Sequence, residues 1–333
     1  MIDAIARLVR CENLTEDEAA SAFAEIIRGD ATPVQIAGFL VALRMKGETP
    51  DEITGFARTA RAMATPIEVQ GNLLDTCGTG GDGLATFNIS TLAAIVAAAC
   101  GAKVAKHGNR AASSMCGSAD VLEQLGVKID LGPEGVARCI EEGGIGFMFA
   151  PVFHPSFRFA GVPRKELALR TVFNVLGPLC NPAGAKYQAL GVADGTMAGK
   201  MADVLMRLGL ERAIVFHAGD GMDELSVSGP SFVIEIDGER KEYELDPREL
   251  GLAPAPVESM RGGGPEENAR IAREVLEGAK GPRRDVVLLN AAAALRAAGI
   301  AGSWKDGIGL AAGALESGRA GQVLERWAKI SQE

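Results

Sequence analysis

No stretch of eighteen apolar residues occurs in this 333-residue chain, so nothing in it reads as a membrane span. The N-terminus, MIDAIARLVRCENLTEDE, lacks a long apolar core and meets acids early, so it does not read as a secretory signal. Cysteines are few and scattered: Cys11, Cys77, Cys100, Cys116, Cys139 and Cys180. No two stand in C-x-x-C spacing, so neither a zinc site nor a disulfide framework is expected. A reduced, cytoplasmic setting fits that usage. Basic charge is also short. The 34 Lys and Arg against 43 Asp and Glu leave a net charge of −9. A broad nucleic-acid footprint needs a basic surface, so duplex binding is disfavoured, while a local basic pocket is not.

What is present is ordinary for a globular protein, 47% hydrophobic and 23% charged. The length favours one large domain and a smaller one. The first stretch is punctuated as helices. Thr15 and Glu18 form a capping-box pattern ahead of a helix that stops near Gly29. Thr32-Pro33 and Thr49-Pro50 open two more, with Gly47 between them as a stop. Residues 1–66 therefore read as a small all-helical domain. From Leu73 the pattern changes. LLDT, KVAKHG, IGFMFAP, YQALGV, AIVFHA and FVIEID are short apolar runs that suit buried strands, and helical stretches separate several of them. Residues 67–333 thus read as a large α/β domain with a mostly parallel central sheet flanked by helices. FVIEID followed by GERKEYEL reads as an edge hairpin, and helices close the chain. A further crossing back to the helical domain is expected near 154–180.

Within this frame, DTCGTGGDGLATFNIST (75–91) joins a strand to a helix. Gly78, Gly80 and Gly81 allow close backbone approach, and the helix start offers free N–H groups to an anion. Asn88, Ser90 and Thr91 add polar side chains there, and the Ser90 hydroxyl suits a metal ion. The spacing matches neither the dinucleotide-binding nor the P-loop pattern. Alone, the stretch reads equally well as a tight turn with an ordinary helix cap.

Three further stretches change the balance. KHGNRAASSMCGSAD (106–120) gathers Lys106, His107, Asn109 and Arg110, then Ser113, Ser114 and Ser118, after the next strand. That is a second oxyanion cradle, and successive parallel strands set two such loops side by side at their carboxyl ends. HAGDGMDELSVSG (217–229) places Asp223 and Glu224 in a third strand-end loop, where carboxylates and phosphate oxygens together would hold Mg²⁺. Asp82 and Asp220 are weaker candidates of the same kind. HPSFRFAGVPRKELALRTVFNVLGPLCNPA (154–183) carries Arg164 and Arg170, read as one and a half turns apart on a helix beginning at Pro163. Either suits a substrate carboxylate, and either could instead pair with Glu166. Asn174, Gly177, Pro178, Asn181 and Pro182 read as a structured elbow.

In this order, GTGGD with NIST, KHGNR with SS and GSAD, RTVFN-LGPL-NPA, GMDELS and RRDVVLLNAAAAL, the motifs resemble the anthranilate phosphoribosyltransferase family from end to end. The resemblance implies transfer of the phosphoribosyl group of phosphoribosyl pyrophosphate (PRPP) to anthranilate, in tryptophan synthesis. It implies Mg²⁺, two ions per subunit, and a homodimer formed through the helical domain. It also implies site residues. For PRPP these are Gly78, Gly81, Asp82, Thr86, Asn88, Ile89, Ser90, Thr91, Lys106, His107, Gly108, Asn109, Arg110, Ala111, Ala112, Ser113, Ser114 and Ser118. For anthranilate they are Gly78, Asn109 and Arg164; for the metal, Ser90, Asp223 and Glu224. Met115 and Cys116 depart from the family's basic and small polar residues, which bears on PRPP affinity.

No residue stands out as a general base, and the neutral amine of anthranilate needs none before attack. Two other readings share this scaffold. A non-catalytic nucleic-acid-binding relative would want a basic groove, which the charge of −9 does not provide. A pyrimidine nucleoside phosphorylase would share the phosphate cradle without needing an Asp-Glu metal loop.

Overall fold

Three threonines open three of the first four helices. The helices are α1 (Ile2–Val9), α2 (Glu16–Arg28), α3 (Pro33–Lys46) and α4 (Pro50–Ala62). Thr15, Thr32 and Thr49 each accept the N–H three residues on, and Glu18, Gln35 and Glu52 accept the threonine N–H in return. Each box satisfies two donors that a helix start otherwise leaves orphaned. Glu52 does more. It is fully buried, accepts the Leu14 N–H at 3.0 Å and pairs with Lys46 at 2.9 Å.

The computed structural model of the protein describes residues 1–111 and 115–333. Seven strands follow the helical unit: β1 (Leu73–Gly78), β2 (Lys103–Gly108), β3 (Ile145–Phe149), β4 (Tyr187–Gly191), β5 (Arg212–Ala218), β6 (Ser231–Asp237) and β7 (Glu239–Leu245). They form one sheet in the order β3-β2-β1-β4-β5-β6-β7. The first five are parallel, and β6 and β7 make the expected antiparallel edge hairpin. After β1 the chain builds outward to β2 and β3, then returns to lay β4 on the other side of β1. That reversal opens a crevice beyond the carboxyl ends of β1 and β4, the usual ligand position in such sheets.

Helices cover both faces. α5 (Ile89–Ala99) follows β1; α6 (Ser118–Gln124) and α7 (Pro133–Gly143) follow β2. The short α8 (Ala150–Phe153), α9 (Gly161–Leu167) and α10 (Phe173–Leu176) lie between β3 and β4, and α11 (Gly195–Arg207) between β4 and β5. α12 (Pro265–Leu276), α13 (Pro282–Ala297), α14 (Trp304–Glu316) and α15 (Arg319–Gln332) close the chain. One core joins α5 and α12–α15 to one face of the sheet. A second joins α1–α4, α10 and α11 to the other. The crossing segment is stitched in by aromatic rings: Phe173 lies 5.4 Å from Phe23 and 5.6 Å from Phe157. Among the described residues no helix is long and apolar enough to cross a membrane. No disulfide links any of the six cysteines.

One local expectation needs correcting. The helix expected to begin at Pro163 begins at Gly161 and ends at Leu167, where Ala168 turns left-handed with φ of 49°. Arg170 lies beyond that stop, so it does not share a helical face with Arg164. Glu166 makes no ion pair with either arginine among the described residues.

Candidate active site

The carboxyl end of β1 meets the loop after β5 at two glycines. Gly78 pairs with Gly191 of β4 in the sheet register. A Cβ on Gly78 would overlap the Asp223 carboxyl, and one on Gly191 would overlap the Asp223 backbone. Only glycine at both strand ends leaves room for the Asp-Glu loop to enter the crevice.

Once there, each carboxylate takes a backbone donor from the glycine loop or its helix. Asp223 Oδ2 accepts the Gly80 N–H at 2.6 Å, and Glu224 Oε1 accepts the Ser90 N–H at 3.0 Å. Ser90 is the second residue of α5, so Glu224 caps the positive end of that helix in place of the Asn88 side chain. The Ser90 hydroxyl also faces the Glu224 carboxyl. Both acids are buried. Burial pushes both carboxyls up; for Asp223 the neighbouring Asp82 adds to the effect, and for Glu224 the neighbouring Asp223 does. Lys106 works against the rise at Glu224. Among the described residues no three His, Cys, Asp or Glu side chains converge into a cage. Two desolvated carboxylates with a hydroxyl alongside are a donor set that suits Mg²⁺, which keeps several waters and shares its shell with substrate phosphates.

The loop is held from several sides. Asp82 Oδ1 accepts the Leu84 N–H at 3.1 Å, and its Oδ2 is buried without a partner among the described residues. Thr86 pairs with Arg261 in an isolated antiparallel bridge. Asn88 bonds the Cys116 carbonyl and receives the Asn268 amide. Thr91 is buried, and its hydroxyl has no partner among the described residues. The Ile89 side chain sits in the core and its N–H donates to Phe87 O, so the chain offers a ligand neither of them.

At the end of β2 the cations are more engaged than the sequence implies. Lys106 is 2% exposed, and its Nζ reaches across to the Thr76 carbonyl at 2.5 Å beside the buried Asp75. Burial lowers the Lys106 ammonium and raises the Asp75 carboxyl, each pulled back by the other. Arg110 is held by Asp120 and Glu123, both at 2.9 Å, over the Phe149 ring. Asp120 also takes the N–H groups of Ala111 and Gly117. Gly108 ends β2, and Asn109 accepts the Ser118 hydroxyl on its carbonyl at 3.3 Å. Ala112, Ser113 and Ser114 lie outside the described residues. Arg164 is half-buried, its guanidinium 4.7 Å from the Phe173 ring centre, and burial lowers it.

Four residues of the site's frame escaped the sequence reading or were misjudged in it. Asp75 bonds Asn181 at 2.8 Å and the His107 N–H at 3.2 Å. His154 donates Nε2 to Cys180 O at 2.8 Å, as His107 Nδ1 does to Gly177 O at 3.2 Å; a carbonyl accepts only, so both ring tautomers are fixed. The two rings stand 5.1 Å apart, and the other nitrogen of each is buried without a partner among the described residues. Burial brings both imidazoles down to about 4, so they are neutral at pH 7. Asn290 of α13 grips Leu225 twice, accepting its N–H at 3.0 Å and donating to its carbonyl at 2.9 Å. Arg170, read as a partner for a carboxylate, instead donates to the carbonyls of Gly80 and Gly81.

A helical bundle before a switch-point sheet, with a glycine loop and helix start facing paired acids, defines a class. The chain belongs to the glycosyl transferase family, its helical bundle domain matched over residues 2–64 and its a/b domain over 70–321. Within that family its relatives are anthranilate phosphoribosyltransferases. It is 58% identical over 320 residues to anthranilate phosphoribosyltransferase 2 of Streptomyces coelicolor, covering 96% of each chain. Its fold matches the crystal structure of the Thermus thermophilus enzyme with a TM-score of 0.95 at 49% identity, covering 99% of this chain and all of that one. The Saccharomyces cerevisiae enzyme in complex with PRPP and Mg matches at 0.90 and 28% identity, over 99% and 97% of the two chains. That enzyme is also known with 4-fluoroanthranilate.

Proposed function

We propose that this chain transfers the 5-phosphoribosyl group of PRPP to the amine of anthranilate, as the second step from chorismate toward tryptophan. The C–N bond forms at the anomeric carbon as the bond to pyrophosphate breaks, and the amine proton leaves afterwards. The observation that carries the reading is the meeting of Asp223 and Glu224 with Gly80 and Ser90 at the sheet's switch point.

The roles are those the family resemblance implies. Gly78, Gly81 and Asp82, with Thr86, Asn88, Ser90 and Thr91, would line the PRPP side, and Lys106 to Ser114, with Ser118, would complete it. Asp223, Glu224 and Ser90 would hold Mg²⁺, at two ions per subunit. When bound, the ion supplies Lewis-acid neutralisation of charge on the departing pyrophosphate. The backbone donors of the cradle add fixed dipoles aimed at the same charge, which needs no reorganisation as it builds. Arg164 and Asn109, together with Gly78, would orient anthranilate, and orientation is a large lever in a two-substrate reaction. No side chain need remove a proton before attack, since the amine is neutral.

Residues 1–66 form the helical domain of this reading, joined by 154–180, and 67–333 the phosphoribosyl-binding domain. A homodimer through the helices is supported by exposed apolar side chains there: Ile2, Val9, Val34 and Met45. Scattered cysteines without disulfides suit the cytoplasm. Equilibrium dialysis counts the ions, and sedimentation gives the assembly's mass; one ion or a monomer would revise those two points alone. For the reaction itself, anthranilate fluorescence should fall only when PRPP and Mg²⁺ are both present. An unchanged signal with authentic substrates would overturn the assignment.

A further inference from the structure

Arg170 is the one arginine of the crossing segment whose guanidinium reaches the glycine loop. Nη1 donates to Gly81 O at 2.7 Å and Nη2 to Gly80 O at 2.9 Å. No acid pairs with it among the described residues. A trans peptide is planar, and its N–H points opposite to its carbonyl. The Gly80 carbonyl shares a peptide with the Gly81 N–H, and the Gly81 carbonyl shares one with the Asp82 N–H. Holding both carbonyls on one guanidinium therefore turns both N–H groups to the far side of the loop. Gly80 and Gly81 are both left-handed, with φ of 72° and 76°. Two such glycines in a row leave the peptides free to flip. A rigid two-pronged donor removes that freedom better than a single point charge would. The fit is close: a Cβ on Gly81 would overlap Arg170 Nη1.

Arg170 is itself anchored. Ala168 ends α9 in a left-handed turn, and the Thr171 N–H next to Arg170 is capped by Asn174 Oδ1 at 2.9 Å. The loop continues the chain of contacts, since the Gly80 N–H goes on to Asp223. Thus one guanidinium links the segment bearing Arg164 to the loop that meets the Asp-Glu pair.

We propose that Arg170 is a positioning residue for PRPP. It sets the Gly80–Gly81–Asp82 peptides with their N–H groups turned toward the pyrophosphate, and touches no substrate itself. The proposal rests on the reading of the GTGGD loop as the PRPP cradle, and the test separates the two.

Arg170→Gln should raise the KM for PRPP about tenfold, the size of one charge-assisted hydrogen bond, while moving the KM for anthranilate less than about twofold. Arg170→Lys keeps the charge and loses the fork, and should recover little of the PRPP affinity. Gly81→Ala displaces the guanidinium, so Gly81→Ala and Arg170→Gln together should cost clearly less than the sum of the two. An unchanged PRPP KM, a rise confined to anthranilate, or full additivity would overturn the role. Ser90→Ala leaves Arg170 in place and reports on the cradle alone. If it raises the PRPP KM while Arg170→Gln does not, the cradle stands and the Arg170 role falls. If wild-type protein turns over but Ser90→Ala leaves the PRPP KM unmoved, the cradle reading itself falls.

Discussion

His107 and His154 show how burial at single residues sets a pH response. Both are lowered to about 4, first by burial, with Lys106 opposing the charge on His107 and His107 opposing that on His154. In the unfolded chain each would titrate near 6.5. Below that value the unfolded state takes up protons that the fold refuses. The stability the two contribute is therefore complete above about 6.5 and is lost as pH falls toward 4, at roughly 1.4 kcal/mol per pH unit for each ring. Other groups titrate in the same window, so the difference between wild type and His154→Gln isolates the effect. Denaturant midpoints between pH 7 and 4.5 should fall less steeply in the variant; parallel profiles would refute the account. Neither imidazole's burial was legible in the sequence. KHG announces a strand end, and only the fold brings His154 and the Gly177 and Cys180 carbonyls to it from the crossing segment. Lys106 carries the same lesson. Its clustering with Arg110 reads as part of an oxyanion cradle, yet Asp75, 31 residues earlier and inside an apolar run, draws it into the core.

Elements were far more legible than their contacts. Three threonine caps, seven strands and the edge hairpin stand where apolar period and capping chemistry put them, because those signals are local. α9 was misjudged at both ends, since the stop at Ala168 is a left-handed alanine that no glycine or proline announces. Asn290 was missed for a different reason. It is a lone amide in VVLLNAAAAL, a helix otherwise buried and apolar, and its purpose lies 65 residues away on the Asp-Glu loop. Replacing it by leucine leaves the Leu225 N–H and carbonyl buried and unpaired. Asn290→Leu should cost roughly 2–4 kcal/mol in denaturation. It should also raise the Mg²⁺ concentration needed for half-maximal activity severalfold, because the loop bearing Asp223 and Glu224 loses the amide that fixes it. Lost stability with an unchanged Mg²⁺ requirement would mean that Asn290 holds the helix and not the loop.

At the scale of the whole molecule, the sheet's switch point explains why distant motifs act together. β1 lies between β2 and β4, so loops after β1, β2 and β5 gather at one edge although 148 residues separate Asp75 from Asp223 in the chain. The second core ties α1–α4 to α11 and one face of the sheet. The crossing segment, with Arg164 and Arg170, is held against the crevice by that packing. The sequence pattern carried this arrangement in outline, through strand and helix alternation, but the meeting of Asp223 with Gly78 and Gly80 needed the register. On the proposed function, these loops form one Mg²⁺-dependent PRPP site. Calorimetric titration of PRPP, with and without Mg²⁺, tests it most directly. Wild-type protein should gain PRPP affinity with Mg²⁺, and the Asp223→Asn, Glu224→Gln double variant should lose most of that gain, on the order of a hundredfold. If Mg²⁺ strengthens PRPP binding equally in both proteins, the Asp-Glu loop is not the metal site and the account is wrong.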